Sequence, residues 1–199
     1  MLKEYSAGLT SRPFWYIESK KTARYMLEGL DKKAIRKIIV DENLYQAPSQ
    51  SRADHMFNSI YRRLNSLDMF LIEKITTVDV LTSKVLVMFA IMKTDRLFFE
   101  FMYEVFREKL LLGDYSLKDR DINVFFHYKS TQSDAMSKWT DYTIKKMKSS
   151  YTRILFEVGL LEGSSQDRKI IPVNLDYRIC QYIRDKDMSA YLYAVVGGD

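Results

Sequence analysis

The chain has 199 residues, 47% apolar, 14% aromatic and 29% charged, enough for one large or two small globular domains and too aromatic for a disordered tail. Its single cysteine, Cys180, excludes an internal disulfide and a cysteine-rich zinc site, and two histidines, His55 and His127, are too few for most histidine-based metal sites. Lys+Arg 31 against Asp+Glu 26 leaves +5 at pH 7, which permits nucleic-acid binding without demanding it, while seven glycines and three prolines argue against a turn-rich β fold.

The first ten residues are polar and carry Glu4, so no signal peptide is expected there. Pro13 is placed to open a helix over Phe14 to Leu30. Asp31 is a cap for a second helix, Lys32 to about Glu42, and Asn43 to Pro48 breaks it. Seven basic residues fall between Lys20 and Lys37, against Glu28 and Asp31. Ser49 or Ser51 restarts a helix that runs to about Leu64. Its apolar positions Ala53, Met56, Phe57, Ile60, Tyr61 and Leu64 gather on one side. Ser51, His55, Asn58, Ser59 and Arg62 fall opposite. Helix, short break and helix with a polar, basic outer face is a weak helix-turn-helix pattern, and Arg52, His55, Asn58 and Arg62 are its candidate DNA contacts.

The middle reads as a hydrophobic helical pair. Asp79 caps Val80 to Lys93, Thr94 or Asp95 caps the next helix, and Gly113 closes it. The longest apolar run, Val85 to Met92, has eight residues between Lys84 and Lys93; a membrane span needs about 20. The aromatic stretch Phe98 to Phe106 reads as packed core.

The last third predicts a helix over Lys118 to Lys129, a polar break at Ser130 to Ser133, a short helix from Asp134 to Trp139, and a long helix from the Thr140 cap to about Val158, ended by Gly159. A turn over Glu162 to Lys169 and an extended Ile170 to Val173 follow. Two short helices close the chain between Asp176 and Val196. Helix, helix, long helix, hairpin is the order of a winged helix-turn-helix, whose third helix enters the major groove while the wing lies on the backbone. On the long helix Ile144, Met147, Tyr151, Ile154, Leu155 and Val158 share one face; Tyr142, Lys145, Lys146, Ser149 and Arg153 share the other. The lysines suit phosphates, Arg153 a guanine, and Tyr142 a sugar or a thymine methyl. Arg168 and Lys169 at the wing tip are expected to take a further phosphate. The expected fold is mainly α: an N-terminal lobe over 1–78, a central pair over 79–113 and a winged lobe over 114–199.

No catalytic constellation is visible. The phosphate-cradling GxxxxGK[ST] and GxGxxG patterns, HExxH and GxSxG are all missing from the sequence. Asp54 and His55 are adjacent and do not face each other on a helix. Asp41–Glu42 and Asp119/Asp121 sit at helix ends, where capping and the helix dipole account for them. Neither a cofactor nor a metal is expected, and a lone cysteine suggests the cytoplasm.

The strings Tyr5-Ser-Ala-Gly-Leu-Thr-Ser-Arg-Pro-Phe-Trp-Tyr-Ile-Glu-Ser19 and Asp41-Glu-Asn-Leu-Tyr-Gln46 are distinctive, as is Arg52 to Leu67 with Ile60-Tyr-Arg-Arg-Leu64. With Lys138-Trp-Thr-Asp-Tyr-Thr143 and Val158-Gly-Leu-Leu161 they make the chain, over essentially its whole length, resemble the BrxA family of the BREX bacteriophage-exclusion systems. The resemblance implies a mostly helical DNA-binding accessory of phage defence, working beside a DNA methyltransferase, an ATPase and a phosphatase-like protein. That family has also been labelled an inner-membrane protein, which the short apolar runs here oppose. The expected partners are therefore double-stranded DNA and other BREX proteins, with no membrane. The alternatives are a protein–protein adaptor that uses its helix-turn-helix for docking, and a helical RNA binder.

Overall fold

The computed structural model describes residues 4–198, so Met1 to Lys3 of the polar N-terminal stretch lie outside the described residues. The chain is mainly helical, with one short antiparallel hairpin among the described residues. It divides into two compact units. Phe14–Thr94 forms one; the segment ending at Pro13 joins Asp95 and everything after it in the other. The three-part division expected from the sequence is thus replaced by two. The apolar pair splits at Thr94, its first helix going to one unit and its second to the other.

The Phe14–Thr94 unit holds α1 (Tyr16–Leu27), α2 (Lys32–Asp41), α3 (Gln50–Leu64), α4 (Met69–Thr77) and α5 (Val80–Thr94). Side-chain caps set several starts: Asp31 accepts from the Ala34 N–H at 2.7 Å, Ser49 from Arg52 at 3.2 Å, Asp68 from Leu71 at 3.0 Å and Asp79 from Thr82 at 3.0 Å. α1 is shorter than Phe14 to Leu30, because Trp15 takes a left-handed conformation (φ 50°) and Gly29 another (φ 78°) beyond the far end. α4 lies in a stretch for which the sequence pattern pointed to no element. α3 packs on α2, α1 and α5 through Ala53, Met56, Phe57, Ile60 and Leu64. Ser59, expected outside, is buried, and so is Arg63. α5 is buried from Val85 to Met92, as an apolar helix without a polar face must be.

The other unit runs through α6 (Arg96–Phe101), one widened π turn at Met102–Phe106, and α7 (Arg107–Leu111). Then come α8 (Asp119–Thr131), α9 (Asp134–Ser137), α10 (Asp141–Val158), the strands β1 (Leu161–Gly163) and β2 (Arg168–Ile170), α11 (Tyr177–Asp185) and α12 (Ser189–Val196). α8 continues through the expected break at Ser130. β1 pairs with β2 in the register Leu161↔Ile170, so the expected turn is narrower and its flanks are strands. Residues 115–117 border β2 on the other side, with Ile170 N–H donating to the Tyr115 carbonyl and Leu117 N–H to Arg168.

Two arrangements hold this unit. Tyr151 of α10 is fully buried among Phe98, Phe101 and Phe126, with ring centroids 5.0, 5.2 and 5.4 Å away. Burial pushes its phenol pKa well up. Beside it, the Glu100 carboxylate accepts from Tyr5 Oη (2.7 Å), Arg96 Nε (2.7 Å) and Lys129 Nζ (2.6 Å), and Lys129 also bridges Glu104 at 2.6 Å. The network ties the N-terminal segment and α8 to α6.

Tyr151→Ala should cost about 3–5 kcal/mol, because it removes a large ring from a packed site; chemical denaturation monitored by circular dichroism measures this. Burial pushes the Glu100 carboxyl up, but the bonds from Lys129, Tyr5 and Arg96 outweigh it and hold it below its ordinary value of 4.5. A lowered folded-state pKa contributes stability above the ordinary value and loses it as pH falls through the folded one. Unfolding free energy should therefore drop as the pH falls below 4.5, and Glu100→Gln should flatten that acid limb.

Candidate nucleic-acid interface

α10 is fixed at both ends. The Thr140 hydroxyl accepts from the Thr143 N–H at 3.2 Å. Gly159 stops the helix at φ 99°, its N–H meeting the Leu155 and Phe156 carbonyls. At that position the backbone is left-handed, a conformation glycine adopts without steric cost. The buried side is Met147, Tyr151, Ile154, Leu155 and Val158, with Ile144 half-buried. Tyr142, Lys145, Lys146, Ser149 and Arg153 are all exposed. At 100° per residue these five fall within about 100° of arc, one continuous strip.

The cations of that strip differ in their commitments. Lys146 lies 4.6 Å from the Tyr142 ring centroid, a cation–π contact that leaves the ammonium accessible. Arg153 pairs with Glu157 one turn on at 2.8 Å, at the surface where such a pair is weak and easily exchanged. Among the described residues, neither Lys145 nor Lys146 forms an ion pair with a carboxylate. Lys148 stands apart: it donates to Asn123 at 2.7 Å, and burial pushes its pKa down.

At the hairpin the two expected contacts separate. Lys169 is exposed, opposite Glu162 in the strand pair. Arg168 is not at a wing tip. It begins β2 with its side chain buried, donates to the Leu117 carbonyl (3.1 Å) and the Ser165 carbonyl (2.5 Å), and pairs with Asp119. A guanidinium removed from water needs acceptors around it, and here the hairpin and the start of α8 supply them. The expected phosphate contact by Arg168 is therefore withdrawn.

On α3, Asn58 and Arg62 are exposed, while Arg52 and His55 are half-buried. Arg52 lies 5.4 Å and Arg63 5.6 Å from the Trp15 ring, and His55 meets the same indole edge-on at 6.4 Å. Trp15 is thus the organiser of that face, and its sequence distance from α3 hid it. Arg63 was legible in principle, since it follows Met56 by seven and Ile60 by three. α2 adds exposed Lys33 and Lys37, and its Arg36 is held by Asp54 at 2.5 Å. Among the described residues no group of histidine, cysteine and carboxylate side chains is arranged to hold a metal ion, and no helix is long and apolar enough to cross a membrane.

Fold and site together define a mainly helical protein of two compact units, one of which carries a long helix with a cationic outer strip beside a short hairpin. The chain belongs to the BrxA family, whose model matches residues 3–187. It is 39% identical over 199 residues to the BREX protein BrxA of Bacillus cereus (strain H3081.97), covering 99% of this chain and 100% of that protein. A crystal structure of an uncharacterized protein from Magnetospirillum magneticum has the same fold at a TM-score of 0.83 and 20% identity, covering 98% of this chain and 100% of that one. Membership supports a role in anti-phage defence.

Arg168→Ala should destabilise the hairpin by about 1–3 kcal/mol, the cost of leaving the buried Leu117 carbonyl without its side-chain donor. Lys169→Ala should stay within about 0.5 kcal/mol, as an exposed substitution does. Thermal unfolding of the two variants side by side checks this contrast.

Proposed function

We propose that the chain is a non-catalytic, double-stranded DNA-binding accessory protein of a BREX anti-phage system, acting in the cytoplasm and helping to place other BREX proteins on DNA. The observation that carries this reading is the α10 strip: two exposed lysines with no carboxylate partner among the described residues, flanked by Tyr142, Ser149 and Arg153. Uncommitted ammonium groups on a straight helix face suit successive phosphates of a duplex, whose counterions they would displace. The order α8, α9, α10, β1, β2 supports a winged helix-turn-helix, with α10 in the major groove and Lys169 near the backbone. Arg153 exchanges Glu157 for a base edge or phosphate. On α3, Arg52, His55, Asn58 and Arg62 form an auxiliary face, with Arg52 pre-set against Trp15.

Binding through phosphates is salt-dependent and largely indifferent to sequence. Titration of unrelated duplexes by fluorescence anisotropy should give affinity that falls steeply with salt. The double substitution Lys145→Glu with Lys146→Glu should abolish measurable binding while leaving the circular dichroism spectrum unchanged. Replacing both lysines by alanine instead should lower the log–log salt slope by about 2, one for each lost phosphate contact. Retained binding by the folded double glutamate variant would remove α10 as the site. No binding by the unaltered protein at low salt would leave the adaptor reading in its place.

A further inference from the structure

We infer that Tyr142 gives the α10 strip a preference for duplexes that carry 5-methylpyrimidines, the methyl group of thymine or of 5-methylcytosine resting on its ring in the major groove. This rests on the DNA reading above and adds to it the chemical group that the strip distinguishes. Tyr142 is 65% exposed, and of the five residues of the strip it alone has a large apolar surface. The ring is also held in place. Lys146, one turn on, sets its ammonium 4.6 Å from the ring centroid, so the ring lies along the helix. The ammonium covers part of the ring and the rest stays open. The turn beneath is fixed as well: the Thr140 hydroxyl accepts from the Thr143 N–H at 3.2 Å, and the two threonine hydroxyls meet at 3.0 Å. A side chain ordered beforehand loses less entropy when it meets a ligand.

Charge divides the strip along its length. Lys145, Lys146 and Arg153 suit phosphates. Tyr142 instead follows Asp141, an exposed carboxylate in the first turn of α10. A carboxylate there repels the phosphate backbone, so this end of the strip is suited to base edges. The N-terminal residues of a recognition helix are the ones that meet base edges in the major groove. Those edges offer hydrogen-bond donors, acceptors and one large apolar group, the C5 methyl of thymine. A methyl at C5 of cytosine occupies the same place on the pyrimidine ring. Covering a polar edge with an aromatic ring strips it of water without a replacement bond, which is costly. Covering a methyl removes apolar surface from water on both sides, which is favourable. The ring of Tyr142 therefore matches the methyl and discriminates against its absence. Phosphate contacts still supply most of the affinity, and the methyl adds a modest bias to it.

Anisotropy titrations at one low salt concentration, with three duplexes of a single sequence, test this. One duplex holds thymine and cytosine. A second, free of C5 methyl groups, holds deoxyuridine and cytosine. The third holds deoxyuridine and 5-methylcytosine. The unaltered protein should bind each methyl-bearing duplex about fourfold more tightly than the methyl-free one, the worth of one buried methyl-sized group. Tyr142→Ala should bring both ratios to about one. Tyr142→Phe, which keeps the ring, should keep them. General damage to α10 would lower all three affinities together and leave the ratios as they were. Equal binding of the methyl-free duplex and either methyl-bearing one by the unaltered protein would overturn the proposal, and so would ratios that survive Tyr142→Ala. If the protein binds none of the three, the DNA reading itself fails and this inference falls with it.

Discussion

Tyr151 sits with Phe98, Phe101 and Phe126 around it, and that contact sets the rotation of α10 about its own axis. A helix docked by one large ring cannot roll without opening a cavity in a close-packed core. Once Tyr151, Met147 and Leu155 face inward, Lys145, Lys146, Ser149 and Arg153 have only the solvent side left. The proposed DNA-binding strip is therefore a consequence of an aromatic contact it does not itself make. The Glu100–Lys129–Glu104 network next to it locks α8 onto α6, and so keeps constant the frame in which α10 is held.

Desolvation sorts the basic side chains. Arg168, Lys129 and Arg63 are all buried, where a charge is tolerated only with acceptors or rings around it. Arg168 has two carbonyls and Asp119, and Lys129 has two carboxylates. Those side chains hold the structure together and are not available to a ligand. Among the described residues Lys145 and Lys146 have no carboxylate partner, Lys146 resting on the Tyr142 ring, and both are exposed; under the proposed reading, exchange of their water and counterions for phosphate is cheap. A count of positive residues would treat these groups alike; their surroundings give them opposite roles.

Family membership and site geometry bear on different levels of the functional question. The match to the BrxA family spans nearly the whole chain and joins it to phage defence. It transfers no residue roles. The proposed assignment of α10 to DNA rests on this chain's own exposed strip. That strip lies in one compact unit, where Lys148 of α10 is bonded to Asn123 of α8.

Local signals reached a long way. The helical period fixed the inner and outer faces of α10 residue by residue. Asp31, Ser49, Asp95 and Thr140 marked helix starts because a short side chain that accepts from an N–H two or three residues ahead acts within one turn. Gly159 marked an end for the same local reason. What those signals could not carry were facts that depend on partners distant in the chain. Arg168 looked like a wing-tip cation until Leu117 and Asp119, about fifty residues earlier, closed on it. Trp15 read as one residue of the first helix, and its hold on Arg52 and Arg63 exists only because α3 packs across it. The division at Thr94 was likewise hidden, because two neighbouring apolar helices read as one pair whichever core each of them joins. The sequence by itself therefore determined the helices, their caps and the composition of their faces, all set within a few residues. Tertiary structure alone decided which charges are spent on the fold and which remain for a partner, because desolvation depends on what packs around a side chain, not on its neighbours in the chain.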